Sequence, residues 1–243
     1  MSKALLTWQG YGGGRRKSMS EQQTSDFYRE YNLTKARKHR STRTPAVHQN
    51  EALQKLHEWF EDKPSPYAGA ILTLPTGGGK TFTAVRFLCT GPLSKGYRVL
   101  WLAHTHHLLE QAFYNYGPED EDDPEAKRTG YEVGWIAEPK RQLNVRVVSG
   151  TKGHFRVPHI KPSDNIVICT VQTATRAYKK LHPELVAFLD AAGDKLVVVF
   201  DEAHHSPAPS YRKLILDLRE NRRGMYLLGL TATPTYGDEK KRG

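Results

Sequence analysis

The chain alternates between short, continuous apolar runs and segments in which apolar residues recur every three or four positions. Continuous runs are typical of strands buried on both faces, and the spaced pattern is typical of helices with one apolar face. A first helix is predicted over 47–61, where Leu53, Leu56 and Phe60 share one face. The strands predicted after it are 68–74, 97–103, 143–149, 165–169, 196–201 and 225–231, and the helices are 80–89, 105–116, 171–181, 183–192 and 210–221.

This alternation predicts an α/β domain with a mostly parallel sheet covered by helices on both faces. Two segments interrupt the pattern. Residues 119–125 (EDEDDPE) carry six carboxylates and no apolar side chain, which predicts a solvated loop. The stretch 131–136 is predicted to form a small additional hairpin.

Positive charge is concentrated near the N-terminus. The 243 residues have a formal net charge of +10, and residues 1–44 hold ten basic side chains against three acidic ones. This segment is poor in aliphatic residues and contains the glycine-rich stretch 10–18, so a flexible extension is predicted, with ordered structure from Pro45. The run 35–43 suits a polyphosphate backbone, and a solubilising tail is the alternative.

The composition excludes two broad classes of protein. No run approaches the roughly 20 apolar residues that cross a bilayer, so no membrane association is expected. Cys89 and Cys169 are the only cysteines and both lie in apolar runs, which excludes a disulfide framework and a cysteine-based zinc site. We therefore expect a cytoplasmic protein, associated with the nucleoid if the source is bacterial.

The strongest chemical signal is LPTGGGKT at 74–81, between a predicted strand and a predicted helix. Glycines let successive backbone N–H groups point inward, and the helix N-terminus adds a positive dipole end. The usual phosphate-loop pattern has a further glycine where this chain has Leu74. Lys80 is predicted to contact the β and γ phosphates, and the Thr81 hydroxyl is predicted to bind Mg²⁺. The residues predicted to bind the nucleotide are Thr76, Gly77, Gly78, Gly79, Lys80 and Thr81.

A second chemical signal is the pair Asp201 and Glu202, which directly follows the apolar run 196–200. Parallel strands deliver functional groups at their carboxyl ends, beside the phosphate loop. Asp201 is predicted to hold hydrated Mg²⁺, and Glu202 to act as general base toward the attacking water.

Three motifs together resemble motifs I, II and III of superfamily 2 helicases and translocases. They are LPTGGGKT, DEAH at 201–204 and LTATP at 230–234, in matching order and spacing. AHTHHLLEQA at 103–112 resembles motif Ia, and TVQT at 170–173 resembles motif Ib. The overall pattern is similar to the restriction-enzyme motors, which include type I and type III restriction subunits. The resemblance runs from Pro45 to Pro234 and implies a RecA-like ATP-binding domain over 45–243.

The resemblance also implies roles for individual residues. Gln49 is the candidate for reading the adenine edge, and His204 for sensing the nucleotide-linked conformation. The nucleic-acid face would include His104, Thr105 and Thr173, whose main-chain and hydroxyl groups contact the sugar–phosphate backbone without reading sequence. Thr231 and Thr233 would couple the nucleotide site to that face.

By the same resemblance, the chain is the first of two RecA-like domains, and the second, with its arginine fingers, is expected in the same longer protein or a partner. The expected cofactors are ATP and Mg²⁺, and the expected ligand is nucleic acid, with DNA favoured over RNA. Nuclease or defence subunits are candidate partners. The expected function is that of the ATP-binding half of a nucleic-acid-dependent ATPase motor. The motor is either a helicase, which unwinds strands, or a translocase, which moves along nucleic acid without separating them. The alternative is a nucleotide-sensing or docking module without turnover of its own, and LTATP disfavours a small kinase or GTPase.

Overall fold

The computed structural model describes residues 27–62, 69–118, 129–203 and 209–233. It contains one seven-stranded sheet in the order β1-β4-β5-β3-β6-β7-β2. All neighbouring strands are parallel except β1 and β4, which are antiparallel. The strands are β1 Tyr28–Asn32, β2 Ala70–Thr73, β3 Arg98–Ala103, β4 Gln142–Val148, β5 Ile166–Thr170, β6 Leu196–Phe200 and β7 Tyr226–Thr231.

Helices cover both faces of this sheet. The helices are α1 Leu33–Lys38, α2 Val47–Glu61, α3 Lys80–Thr90, α4 His106–Tyr116, α5 Val171–Lys179, α6 Pro183–Ala192 and α7 Pro209–Asn221. A hydrophobic core lies on each face of the sheet, and successive side chains of a strand point into opposite cores. Val99 and Trp101 of β3 pack in the core that includes residues of α2, α3 and α4. Leu100 and Leu102 face the opposite core, beneath α5, α6 and α7. The predicted α/β architecture is confirmed, with boundaries within a few residues of those predicted.

The N-terminal extension differs from the prediction. Residues 1–26 lie outside the described part of the chain, but β1 and α1 fall inside the segment expected to be flexible. β1 pairs with the outer edge of β4, placing Tyr31 opposite Leu143, and the side chain of Leu33 is fully buried. The expected boundary at Pro45 is therefore wrong for 27–44, because this short segment is stabilised by pairing with a distant strand.

Two smaller predictions can also be compared. The hairpin expected over 131–136 is wrong, since Glu132–Trp135 forms a 3₁₀ turn. Buried Glu132 there meets Arg86 of α3, with Arg86 Nε 2.5 Å from Glu132 Oε2. The acidic loop 119–125 lies outside the described residues. Within the part of the chain that the structure describes, no helix has the length and apolarity that a bilayer crossing requires.

Candidate nucleotide site and nucleic-acid edge

The segments predicted to carry chemistry meet at one edge of the sheet. Parallel pairing sets Thr73 at the end of β2 beside Thr231 at the end of β7, and Phe200 at the end of β6 beside Leu102 of β3. Because the parallel strands β2 to β7 all point the same way, the segments that follow them all leave this edge. It is called the carboxyl edge below.

The phosphate loop after β2 has the backbone that its glycines permit. Gly77 and Gly79 have φ of +77° and +80°, a left-handed region that favours glycine. The Gly78 N–H donates to the Pro75 carbonyl at 2.8 Å, which closes the turn. A Cβ at Gly77, which is exposed, would meet no atom within 4 Å among the described residues, so this side of the loop is open. α3 begins at Lys80, so the N-terminal end of that helix lies directly after the loop.

Gln49 at the start of α2 contacts this loop directly. Its Nε2 donates to the Gly78 carbonyl at 2.9 Å, and its Oε1 accepts from the Ala46 N–H at 2.9 Å. His48 has a ring nitrogen 3.3 Å from the same Gly78 carbonyl. A carboxamide has two N–H donors and two acceptor lone pairs, so one of each remains on Gln49 after these bonds. Sequence analysis missed the contact of His48, for which the sequence carries no separate signal.

Asp201 is a buried acid directly after β6. Its Oδ1 accepts from the Glu202 N–H at 3.0 Å. Its buried Oδ2 makes no hydrogen bond of normal geometry to a described residue, although the side chain of Trp101 is close enough to favour the ionised form. Burial raises the pKa of Asp201 to about 6, and the charge of Glu202 adds to that rise. A buried carboxylate oxygen without a donor is costly, so this atom is suited to an external cation.

Glu202 lies across from the phosphate loop. Its Oε1 is 3.8 Å from Nζ of Lys80. Its φ is +53°, a left-handed conformation that non-glycine residues adopt infrequently and that occurs at functional sites. The structure thus brings together the lysine of the loop and both carboxylates predicted to act with it.

The donor set fits a magnesium ion bound together with a nucleotide. Mg²⁺ takes one or two carboxylates and completes its coordination with water and substrate phosphates. Asp201 supplies the carboxylate, and Thr81, buried in the first turn of α3, supplies the hydroxyl type predicted from sequence. Across 27–62, 69–118, 129–203 and 209–233, no group of three or more His, Cys, Asp and Glu residues could hold a metal by itself.

The residues of the predicted nucleic-acid face lie farther along the carboxyl edge. Thr105 is exposed immediately before α4. His104 is half-buried, with its ring 5.6 Å from that of Phe200. Thr173 is half-buried in the first turn of α5, where it accepts from the Thr170 hydroxyl at 2.7 Å. The edge therefore presents Thr105 outward and holds His104 and Thr173 partly inside.

The residues predicted to couple the two sites form a closed turn after β7. The buried Thr231 hydroxyl donates to the Thr233 carbonyl at 2.9 Å and accepts from the Thr233 N–H at 3.3 Å. Thr233 is exposed and Thr76 of the phosphate loop is exposed as well. His204 lies outside the described residues, so its predicted role stays a prediction.

A polar network beside α4 was missed by sequence analysis. The imidazole of His154 lies between Ser149 at the end of β4 and Glu110 of α4. His154 and Glu110 are 44 positions apart, and no local pattern in the sequence indicates that they meet.

Comparisons with known proteins agree with this architecture. A family model described as "Type III restriction enzyme, res subunit" matches residues 43–236. The DUF1998 helicase MrfA, solved bound to DNA, has 15% identity and a TM-score of 0.54, covering 89% of this chain and 29% of that one. The SWI2/SNF2 ATPase core of Sulfolobus solfataricus in complex with dsDNA has 15% identity and a TM-score of 0.51, covering 81% and 33%.

A third structure is a hypothetical ATP-dependent RNA helicase from Sulfolobus tokodaii, with 16% identity and a TM-score of 0.50, covering 83% of this chain and 50% of that one. This chain spans half or less of each of these three proteins. At such identities the likeness shows a shared fold. Comparison with curated protein sequences gives no match. The family model covers most of the chain, which confirms the resemblance seen in the motifs: the chain belongs to the family of the type III restriction enzyme res subunit.

Proposed function

We propose that this chain is the ATP-binding part of a nucleic-acid-dependent ATPase motor, a helicase or translocase. The observation that carries the proposal is the meeting of Lys80, Asp201 and Glu202 at the carboxyl edge, opposite a left-handed glycine loop. Loop, lysine and paired carboxylates are the parts that phosphoryl transfer from a nucleoside triphosphate requires. Family membership supports the same activity.

The phosphates would bind in the glycine loop. Backbone N–H groups of the loop and of the first turn of α3 would donate to them, and Lys80, now 3.8 Å from Glu202, would leave it to contact the β and γ phosphates. The free donor and free acceptor of Gln49 match the N7 acceptor and N6 donor of adenine. This match supports ATP as the nucleotide.

The acidic pair would divide two tasks. Asp201 and the Thr81 hydroxyl would hold Mg²⁺, whose chemistry is to neutralise charge on the bridging phosphate oxygens. Asp201 must be ionised for this, and its buried Oδ2 is suited to that contact. Once Lys80 has left, Glu202 would accept the proton of the attacking water. These assignments make the chain a DEAH-type ATP hydrolase, with His204 as the fourth residue of the motif.

Nucleic acid would lie along the other end of the carboxyl edge. The hydroxyls of Thr105 and Thr173, with the main chain at His104, suit contacts to a sugar–phosphate backbone. The turn of Thr231 and Thr233 leaves the sheet beside the phosphate loop, which suits it to couple the two sites. DNA is favoured because two of the structures with this fold were solved bound to DNA.

The remainder of the motor would come from a second RecA-like domain, in the same longer protein or in a partner. The proposal is supported by the three solved structures with this fold, because this chain covers half or less of the length of each. Arginine fingers from that domain would add roughly 10³–10⁵-fold in rate. The chain alone should therefore bind ATP and hydrolyse it weakly, and nuclease or defence subunits are further candidate partners.

The test is the ATP turnover rate of this chain and of the longest available form of the protein, each with and without DNA and RNA. We expect turnover in the longer form, stimulated by nucleic acid, and a loss of about 10²–10⁴-fold in Glu202→Gln. The matched control is Glu220→Gln, an exposed carboxylate of α7, which should keep full activity. A longer form that is silent with every polymer would replace the motor with the nucleotide-sensing module.

A further inference from the structure

The polar network beside α4 uses both nitrogens of one buried imidazole. His154 Nδ1 is 2.8 Å from the Ser149 hydroxyl oxygen, and Nε2 is 3.1 Å from Glu110 Oε1. Ser149 Oγ also accepts from the Thr151 N–H at 3.0 Å. His154 is 6% exposed and Ser149 is 2% exposed. The three side chains therefore form a continuous hydrogen-bonded bridge from the loop after β4 to α4.

The partners fix the tautomer of this imidazole. An ionised carboxylate can only accept, so Nε2 carries the hydrogen donated to Glu110, and Nδ1 accepts from the Ser149 hydroxyl. Burial lowers the pKa of His154, although the hydrogen bond and charge of Glu110 act in the opposite direction. A neutral ring with both nitrogens engaged is a rigid connector between two segments.

The bridge does not have the chemistry of a hydrolase. A serine nucleophile needs an accessible oxygen whose proton a neighbouring base removes. Here the Ser149 oxygen is buried and holds the Thr151 N–H, so no substrate carbonyl can approach it. The function of the bridge is therefore to position what it connects.

What it connects are two exposed parts of the carboxyl edge. The loop 149–155 folds back on β4, with the Ser149 N–H bonded to the Phe155 carbonyl at 2.9 Å and the Phe155 N–H bonded to the Val147 carbonyl at 3.0 Å. Gly150 and Lys152 at its tip are exposed. On the other side, Glu110 lies one turn after the exposed start of α4.

We propose that His154 is a positioning residue for nucleic-acid binding, which fixes Lys152 and the start of α4 at a set spacing along one phosphate backbone. This inference rests on the proposed function and adds to it a contact, Lys152, that none of the recognised motifs contains. The ammonium group of Lys152 would neutralise one phosphate without reading sequence. The register of that contact with Thr105 depends on the imidazole bridge.

The contact of Lys152 is tested by the salt dependence of binding to a fluorescein-labelled single-stranded oligo-dT, measured by anisotropy. In Lys152→Ala the slope of log affinity against log salt should lose about 0.7 in magnitude, the value for one phosphate of single-stranded nucleic acid. Lys161→Ala removes the same charge from the segment that precedes β5, at the opposite edge of the sheet, and should leave the slope unchanged. Equal changes in both variants would overturn the contact.

The positioning role is tested at Glu110, where conservative and disruptive variants can be compared. Glu110→Gln keeps an acceptor for Nε2 and should bind oligo-dT within about twofold of the wild type, whereas Glu110→Ala should bind about five- to tenfold more weakly. Binding of ATP should be the same in both. Equal weakening by Gln and Ala, or loss of ATP binding with Ala, would contradict a role through the hydrogen bond.

Failure of this inference is separable from failure of the proposed function. If wild-type protein binds oligo-dT with a steep salt slope that Lys152→Ala does not change, only the role of this loop is wrong. If the wild-type longer form binds neither oligo-dT nor duplex DNA nor RNA, the motor function falls, and this inference with it.

Discussion

Buried charged side chains differ in their partners between two regions of the molecule. Away from the carboxyl edge, Arg86 pairs with both oxygens of Glu132, at 2.5 and 3.1 Å. Arg146 does the same with Asp164, at 2.8 and 3.1 Å. At the carboxyl edge, Lys80 is 3.8 Å from Glu202, and the Oδ2 atom of Asp201 makes no ion pair and no hydrogen bond of normal geometry among the described residues.

The difference separates charges that stabilise the fold from charges that we propose bind a ligand. A bidentate pair satisfies its own charge and leaves nothing for a ligand, so it fixes the packing of the elements that it joins. A buried carboxylate whose pKa is raised has given up stability, and such groups concentrate at functional sites.

The largest effect is expected from breaking the pair of Arg86 and Glu132. Arg86→Ala leaves the buried Glu132 uncompensated and should lower the free energy of unfolding by about 3–5 kcal/mol, measured by denaturant titration. The control is Lys95→Ala, which removes an exposed partner of Glu61 and should cost less than about 1 kcal/mol. Similar losses of unfolding free energy in the two variants would show that the buried pair of Arg86 stabilises the fold no more than an exposed ion pair does.

The next effect has the opposite sign. Asp201→Asn removes a buried charge and should raise the stability of the nucleotide-free protein near pH 7 by about 1–3 kcal/mol, while turnover is lost. Because the pKa of Asp201 is raised to about 6, protonation favours the folded state. The advantage of Asn should therefore shrink as pH falls from about 6 toward the ordinary Asp pKa of about 3.9, and vanish below it, where Asp is protonated in both folded and unfolded states. Thermal melts across this range measure it, and a loss of stability at pH 7 would contradict the account.

The sequence predicts the elements and motifs that depend on neighbouring residues, and it does not predict contacts between distant positions. Strands such as 196–200 and helices such as α3 follow from local periodicity, and the loop at Lys80 follows from a contiguous motif. β1 was missed because its five residues are stabilised by a strand more than a hundred positions away. The pairs of Arg86 with Glu132 and of His154 with Glu110 likewise join distant positions, which no local pattern marks.

A smaller effect separates backbone strain from contact with the nucleotide site. Gly79→Ala and Gly96→Ala both put a side chain at φ near +80°, and each should cost about 1–2 kcal/mol of stability. Only at Gly79 does the new Cβ meet Gln49, whose Nε2 would lie 2.4 Å away. ATP affinity, measured by calorimetry, should therefore fall in Gly79→Ala alone. Equal ATP affinity in the two variants would remove Gln49 from the site.

The central claim is that the carboxyl edge of the sheet is a nucleotide site. Its most direct test is calorimetric titration of Mg²⁺·ATP into this chain as wild type, as Lys80→Ala and as Lys95→Ala. We expect binding by the wild type and by Lys95→Ala, and an affinity at least tenfold weaker in Lys80→Ala, a loss of about 1.4 kcal/mol or more. Equal affinity in the two lysine variants, or no binding by the wild type, would contradict it.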